Sequence, residues 1–219
     1  MVREPVSQRP RGRPADLALR KRREEQILDA AARLFAQRGY DRVNTQELAD
    51  RLGVGKGTIY RYFASKRELF LAAVDRGMRR LRAYVDAAME GIEDPFDRVA
   101  AATRAYLEFF NSHAEFVELL IQERAQFKDR PMPTYFVYRE ANIGRWRALL
   151  ESLIAQGRVR PLNVERITEV ISDMLYGTMF ANYFSGRTRQ PAQQAEDVLQ
   201  VAFLGILTDA ERKAWLARS

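Results

Sequence analysis

Residues 44–70 constrain this chain more than any other stretch, because within them two short helical patterns meet at a glycine-bearing turn and a third helix starts directly afterwards. Asn44 opens the first pattern: its side-chain oxygen suits the orphan amides of a helix start, and Glu47 stands three residues on, as in a capping box. Leu48, Ala49 and Leu52 follow at one-turn spacing. Gly53 then stands where a left-handed terminal residue is wanted, which leaves room for about two helical turns. Val54 packs the turn, and the second helix is expected over about residues 55–63. Ile59, Tyr62 and Phe63 can face inward there, leaving Lys56, Thr58, Tyr60 and Arg61 on an outer face with no core to cover. Ser65 and Glu68 form another capping box, and Lys66 lies in the first turn of the helix it starts, where a cation is unfavourable unless an anion such as phosphate approaches.

Helix spacing of this kind is also compatible with a mere surface corner, so the distribution of charge matters. Of the formal charge of +7, all lies in residues 1–66, which hold 15 Lys/Arg against 8 Asp/Glu, while residues 67–219 hold 21 of each. A basic segment on a neutral body is the electrostatic footprint of a nucleic-acid binder. A hydrophobic content of 47% is ample for a buried core in 219 residues. Cysteine is absent, which excludes a disulfide framework, a thiolate metal site and a thiol nucleophile, and fits a reducing cytoplasm. No apolar run approaches the ~20 residues of a membrane span, and the N-terminus carries charges where a signal peptide needs an apolar core. A soluble cytoplasmic protein with no membrane partner is expected.

The run Leu52-Gly53-Val54-Gly55-Lys56-Gly57-Thr58-Ile59-Tyr60-Arg61-Tyr62-Phe63, followed by Ser65-Lys66 and Glu68-Leu69, resembles the DNA-binding signature of the TetR (tetracycline-repressor) family. The resemblance covers about residues 24–72 and is architectural beyond them. It implies an all-α homodimer, with a three-helix helix-turn-helix domain over residues 23–70 and a larger helical ligand-binding and dimerisation domain over residues 71–219. By the same resemblance, Thr45 and Tyr62 bond phosphates of double-stranded DNA, Gln46, Lys56, Thr58 and Tyr60 face or border the major groove, and Lys66 meets phosphate at its helix start. Gly55 and Gly57 depart from the pattern. Each costs helix stability, roughly 1 kcal/mol against alanine, and offers no side chain to a base, which shifts base reading towards Lys56 and Gln46.

Ahead of this domain, residues 1–22 are proline-interrupted and poor in apolar side chains, and a disordered basic arm is expected. Within it, Pro10-Arg11-Gly12-Arg13-Pro14 resembles the core of an AT-hook. Arg11 and Arg13, flanking a glycine, suit a narrow A·T minor groove, whose negative potential attracts guanidinium groups; a solubilising tail is the alternative. A helix over about residues 22–38, with Ile27, Ala31, Leu34 and Phe35 as its apolar stripe, braces the recognition unit.

The remaining two thirds reads as helices throughout, with no strand signal and no phosphate-cradling glycine loop. One runs from residue 65 to about 90, and Asp94-Pro95 marks the next start. Ser112 and Glu115 suggest a third capping box, placing His113, the only histidine, in a first turn as a structural residue. Further helices are expected over about 113–128, up to Gly157, over 163–185 and from Pro191 to about 207. Thr208 and Glu211 then start a short terminal helix that docks Trp215. The helices over 163–185 and 191–207 are apolar on more than one face, which anticipates an intermolecular four-helix bundle.

Tyr106, Phe110, Phe116, Leu120, Phe127 and Trp146 can converge on one space suited to a mainly apolar or planar effector, with Met174 beside them. Glu123 falls on the same apolar face. Either it is bridged to an arginine, or it is unpaired and favours a ligand carrying a cation or hydrogen-bond donor. No nucleophile, base and orienter assemble from the sequence, so neither enzyme activity nor a catalytic residue, metal site or cofactor is expected. The resemblance implies repression relieved by a small molecule. The alternative is a ligand-independent architectural DNA binder whose C-terminal domain only dimerises, and a tightly packed C-terminal core would favour it.

Overall fold

The computed structural model describes residues 14–186 and 190–218, with side chains from residue 17 onwards. Within them the chain forms α1 Pro14–Arg38, α2 Thr45–Arg51, α3 Lys56–Tyr62, α4 Lys66–Ala88, α5 Pro95–Ser112, α6 Ala114–Gln126, α7 Thr134–Ala155, α8 Val164–Ser185, α9 Pro191–Ile206 and α10 Asp209–Leu216. Extended pairing among the described residues is limited to an isolated bridge between Val159 and Leu207, so the all-α expectation holds. None of these helices is long and apolar enough to cross a membrane. The chain divides into two compact units between Ala73 and Val74.

In the first unit, Ile27, Ala31, Leu34 and Phe35 of α1 pack with Leu48, Ala49, Leu69 and Phe70, all with no exposed surface. Phe35 and Phe70 meet edge to face at 5.0 Å, and Tyr40 stacks on Phe35. The helix start near residue 22 needs correction, because α1 begins at Pro14. Leu17 and Leu19 are 63% and 66% exposed, so burial does not carry this first part. The run of Leu, Arg, Lys and Glu between them and Glu25 has high intrinsic helix propensity, a signal that hydrophobic periodicity does not report.

The helix starts follow their caps with informative exceptions. Asn44 Oδ1 accepts from the Gln46 amide at 2.9 Å, but Glu47 turns instead to Arg51 at 2.8 Å. Ser65 Oγ accepts from the Glu68 amide at 3.0 Å, and the Glu68 carboxylate closes the box on the Ala64 amide at 2.8 Å. The third box does not form. Ser112 ends α5 and His113 alone separates it from α6, with no side-chain cap.

The second unit is built around α5, which packs on α8 and α9. Asp94 caps α5 by accepting from the Phe96 and Asp97 amides, with Pro95 in the first turn. Phe96, Leu153, Val159, Leu199, Phe203 and Leu207 form one core cluster. Trp215 of α10 docks on it as expected, edge to face on Phe203 at 4.8 Å. Arg158 fastens this end, donating to Glu211 at 2.6 Å and to Asp94 at 3.3 Å while lying over the Phe96 ring.

Candidate DNA-facing surface and apolar cavity

Between α2 and α3 the chain reverses at Gly53, whose φ of +63° few side-chain-bearing residues adopt. The turn is held by the Val54 amide donating to Ala49 O at 3.0 Å. Ile59 on α3 is fully buried and Phe63, the cap residue after it, nearly so, which rotates Lys56, Gly57, Tyr60 and Arg61 outward. Lys56 is the first residue of the helix and lies 5.9 Å from the Tyr60 ring centroid. Gln46 is exposed on α2 and donates to Asp50 at 2.7 Å. Thr58 is half-buried.

Thr45 is only 5% exposed, and its hydroxyl lies 3.1 Å from that of Tyr60, so the residue tying α2 to α3 is also the one expected at phosphate. Tyr62 is half-buried, with the Arg20 and Arg61 guanidinium groups each 5.8 Å from its ring. Lys66 donates to the Asp41 carbonyl at 3.1 Å and lies 4.7 Å from the Tyr40 ring. Together these residues form an outward-facing polar and cationic surface whose geometry is set by buried Ile59, Phe63 and Thr45. A Cβ added at Gly55 or Gly57 would meet nothing within 4 Å, so the unit's own packing does not require either glycine. Arg11 and Arg13 lie outside the described residues.

The second unit is hollow. A cavity of about 220 Å³ is walled by Met78, Leu81 and Val85 of α4, Val99, Ala102 and Tyr106 of α5, Tyr135, Ile143, Trp146 and Leu150 of α7, Ile171 and Leu175 of α8, and Phe203 of α9. Of the residues expected to converge there, Tyr106 and Trp146 are on this wall. Phe110 instead backs the Tyr106 ring at 5.1 Å, and Met174 is half-buried off the wall. Leu120 borders a different pocket, with Arg124, Phe136 and Tyr176. Phe127 is buried as the cap residue ending α6.

Phe116 is taken up in the packing of α4 on α6. Its ring sits where a Cβ on Gly77 would be 2.4 Å away, and the Arg80 guanidinium lies 5.6 Å above its centroid. Beside it, His113 Nε2 lies 3.0 Å from Arg80, which can only donate, so Nδ1 carries the proton and donates to the Phe109 carbonyl at 2.9 Å. The histidine is structural, as a junction between helices rather than a first-turn residue.

Of the two readings left open for Glu123, the bridge to an arginine is the one found. Glu123 is 1% exposed and absent from the cavity wall. One carboxylate oxygen accepts from Arg130 at 2.6 Å, from the Thr134 amide at 2.9 Å and from the Thr134 hydroxyl at 2.7 Å. It therefore ties α6 to the start of α7, and the cation preference has no basis. Sequence reasoning missed the contributions of α4 and α9 to the cavity, together with Tyr135 and Tyr138, and on α8 it named Met174 where Ile171 and Leu175 line the wall. Periodicity marks which face of a helix is apolar, but not which neighbour that face will meet.

Two tyrosines on the wall are chemically distinct. Burial pushes the Tyr106 hydroxyl well above its ordinary range and raises that of Tyr135 to about 12. Their oxygens are 2.9 Å apart. Tyr138 is raised to about 12 as well, by burial and by donating to Asp75 at 2.8 Å.

Residues 27–73 match the family model described as bacterial regulatory proteins, tetR family. Among curated proteins, the chain is similar to the transcriptional activator FasR of Mycolicibacterium smegmatis, 35% identical over 103 residues that cover 47% of each chain, about half the length of that relative. Among solved structures it is similar to the fatty acid degradation regulator FadR of Bacillus halodurans, with a TM-score of 0.72 at 17% identity over 82% of this chain and 93% of that one. It is likewise similar to FadR of Bacillus subtilis in complex with stearoyl-CoA, with a TM-score of 0.69 at 16% identity over 81% and 96%. At such identities the two structures establish the fold alone.

Proposed function

For a chain that belongs to the TetR family of bacterial regulatory proteins, we infer a cytoplasmic, homodimeric DNA-binding regulator that a small, mainly apolar ligand releases from its operator. The observation behind this is the path of α4. Its first turns contribute Leu69 and Phe70 to the core of the DNA-binding unit, and the same helix continues into the second unit, where Met78, Leu81 and Val85 wall the cavity. A ligand that binds one position of α4 better than another shifts the population of the state that fits DNA. In a dimer the recognition helices must match major grooves about 34–36 Å apart, so a small shift suffices to lose the fit.

Pairing of two copies is supported by α8 and α9, where Val170, Phe184, Val201 and Leu204 are 40% to 69% exposed, a large apolar area for a lone chain. An apolar ligand is supported by the cavity wall and by the stearoyl-CoA bound in FadR. Lys56 and Gln46 read bases, Thr58 and Tyr60 border them, Tyr62, Lys66 and Arg61 meet phosphate, and Arg11 and Arg13 add minor-groove contacts.

The test is to recover the operator from genomic fragments retained by the purified protein and then measure its affinity by fluorescence anisotropy. Lys56→Ala should erode discrimination between operator and unrelated DNA, whereas Lys66→Ala should weaken both alike. Apolar compounds, stearoyl-CoA included, are then titrated into the complex. If none changes operator affinity while dimeric binding persists, the second unit serves dimerisation only and the architectural alternative replaces this one. FasR is named an activator, so a reporter fused to the operator decides the sense of control.

A further inference from the structure

Where Tyr106 of α5 meets Tyr135 of α7, their hydroxyls share one hydrogen bond of 2.9 Å on the cavity wall. Two phenol groups hold two protons between them, and one is used in that bond. The second reaches at best the Met179 thioether at 3.8 Å, a weak acceptor. Several other polar groups on the wall are already engaged, although Arg139 Nε, buried there, makes no hydrogen bond. Thr168 and Ser172 donate to carbonyls of their own helix at 2.8 Å and 2.6 Å, and Tyr138 donates to Asp75. Of the arginines at the rim, Arg139 pairs with Asp173 at 2.9 Å, while Arg82 and Arg145 share Asp86.

We propose that the Tyr106–Tyr135 pair is the docking point for a neutral carbonyl oxygen on an otherwise apolar effector, a proposal that rests on reading the cavity as the effector site. A ligand oxygen takes the pair's spare strong donor, whereas a ligand N–H would use a phenol lone pair and leave that proton without a strong acceptor. Raised by burial, both hydroxyls keep their protons at neutral pH and remain donors. A carboxylate would be a stronger acceptor, but at the tyrosines it would enter an apolar space whose nearby arginines are already paired with Asp173 and Asp86, and much of its desolvation would go uncompensated. The ligand therefore points a ketone-like group at the tyrosines and lays its hydrocarbon along Trp146 and Ile171.

A cavity of ~150 Å³ holds benzene, so one of about 220 Å³ suits a fused bicyclic probe. The experiment compares 2-tetralone, tetralin and tetralin-2-carboxylate by calorimetry on the full chain and on Tyr106→Phe, Tyr135→Phe and the double variant. The ketone should bind about three- to tenfold tighter than the hydrocarbon. That ratio should shrink in each single variant and reach about one in the double, with tetralin affinity held within about twofold. Equal affinity of ketone and hydrocarbon for the unmodified protein, retention of the preference in the double variant, or tightest binding by the carboxylate each overturns the proposal. Should a variant fail to fold, the infrared carbonyl band of 2-tetralone bound to the unmodified protein decides: a shift to lower wavenumber supports the hydrogen bond, and an unshifted band overturns it. Tetralin binding without ketone preference sinks only the tyrosine dock, whereas binding by none of the probes removes the cavity reading and the proposal together.

Discussion

The two units use the same kinds of residue to opposite ends. In the first, large side chains close on one another: Phe35 and Phe70 have no exposed surface, and among the described residues the only aromatic presented prominently outward, Tyr60, sits on α3. In the second, Tyr106, Tyr135 and Trp146 stand around an unfilled space of about 220 Å³. A filled core transmits strain and holds one geometry, which suits a surface that must match DNA. A hollow core leaves free energy to be gained by a ligand, which suits a sensor.

The largest test of that contrast removes one aromatic from each unit. Phe35→Ala should destabilise the chain by about 3–5 kcal/mol in denaturant unfolding, because it opens a void in a closed core. Trp146→Ala, on the wall of an existing cavity, should cost about 1–2 kcal/mol. Equal losses would mean that the cavity contributes no slack. Next in size is Gly77→Ala, which brings a methyl group within 2.4 Å of the Phe116 ring and should cost about 1–3 kcal/mol. Recovery of stability on adding Phe116→Leu would locate the loss at the contact between α4 and α6.

Gly57→Ala in the first unit should act in the opposite sense. With nothing within 4 Å of the new methyl and a helical position to favour it, stability should rise by up to about 1 kcal/mol. Operator affinity should fall, because the methyl occupies space that the DNA would approach; unchanged affinity would take Gly57 off the contact face. The smallest effect concerns alkali. Because folding raises the Tyr135 hydroxyl from about 10 to about 12, the folded state holds a proton that the unfolded chain has lost in that window. Stability should thus be unaffected below pH 10 and decline as pH rises from about 10 to 12. A phenolate titration in the ultraviolet should show at least one tyrosine ionising only at the upper end, and ionisation of every tyrosine near pH 10 would contradict its burial.

What could be read in advance follows the reach of each signal. Asn44, Gly53 and Ser65 act on amides or dihedrals within a few residues, and the helix-turn-helix they outline is the one observed. The same holds for Asp94-Pro95, which starts α5, and for the helix expected over 163–185, found as α8 between its caps Asn163 and Gly186. Local signals misled where two of them competed. Ser112 looks like a cap, yet it is the last residue of α5, whose Phe109 and Phe110 are buried, and His113 takes the N-cap place of α6.

The sequence by itself determined the all-helical class, the recognition motif with its outward Lys56, Tyr60 and Arg61, and the concentration of positive charge in residues 1–66, since each depends on neighbours along the chain or on composition. Only the tertiary structure decided that Glu123 serves Arg130 and Thr134, that Phe116 seats on Gly77, and that the cavity belongs to Tyr106 and Tyr135 together with α4, α8 and α9. The apolar stripe of a helix records that it will be covered. Which helix covers it, and whether the cover closes, depends on packing between segments distant in sequence, and that arrangement decides which side chains line a hollow and which fill the core.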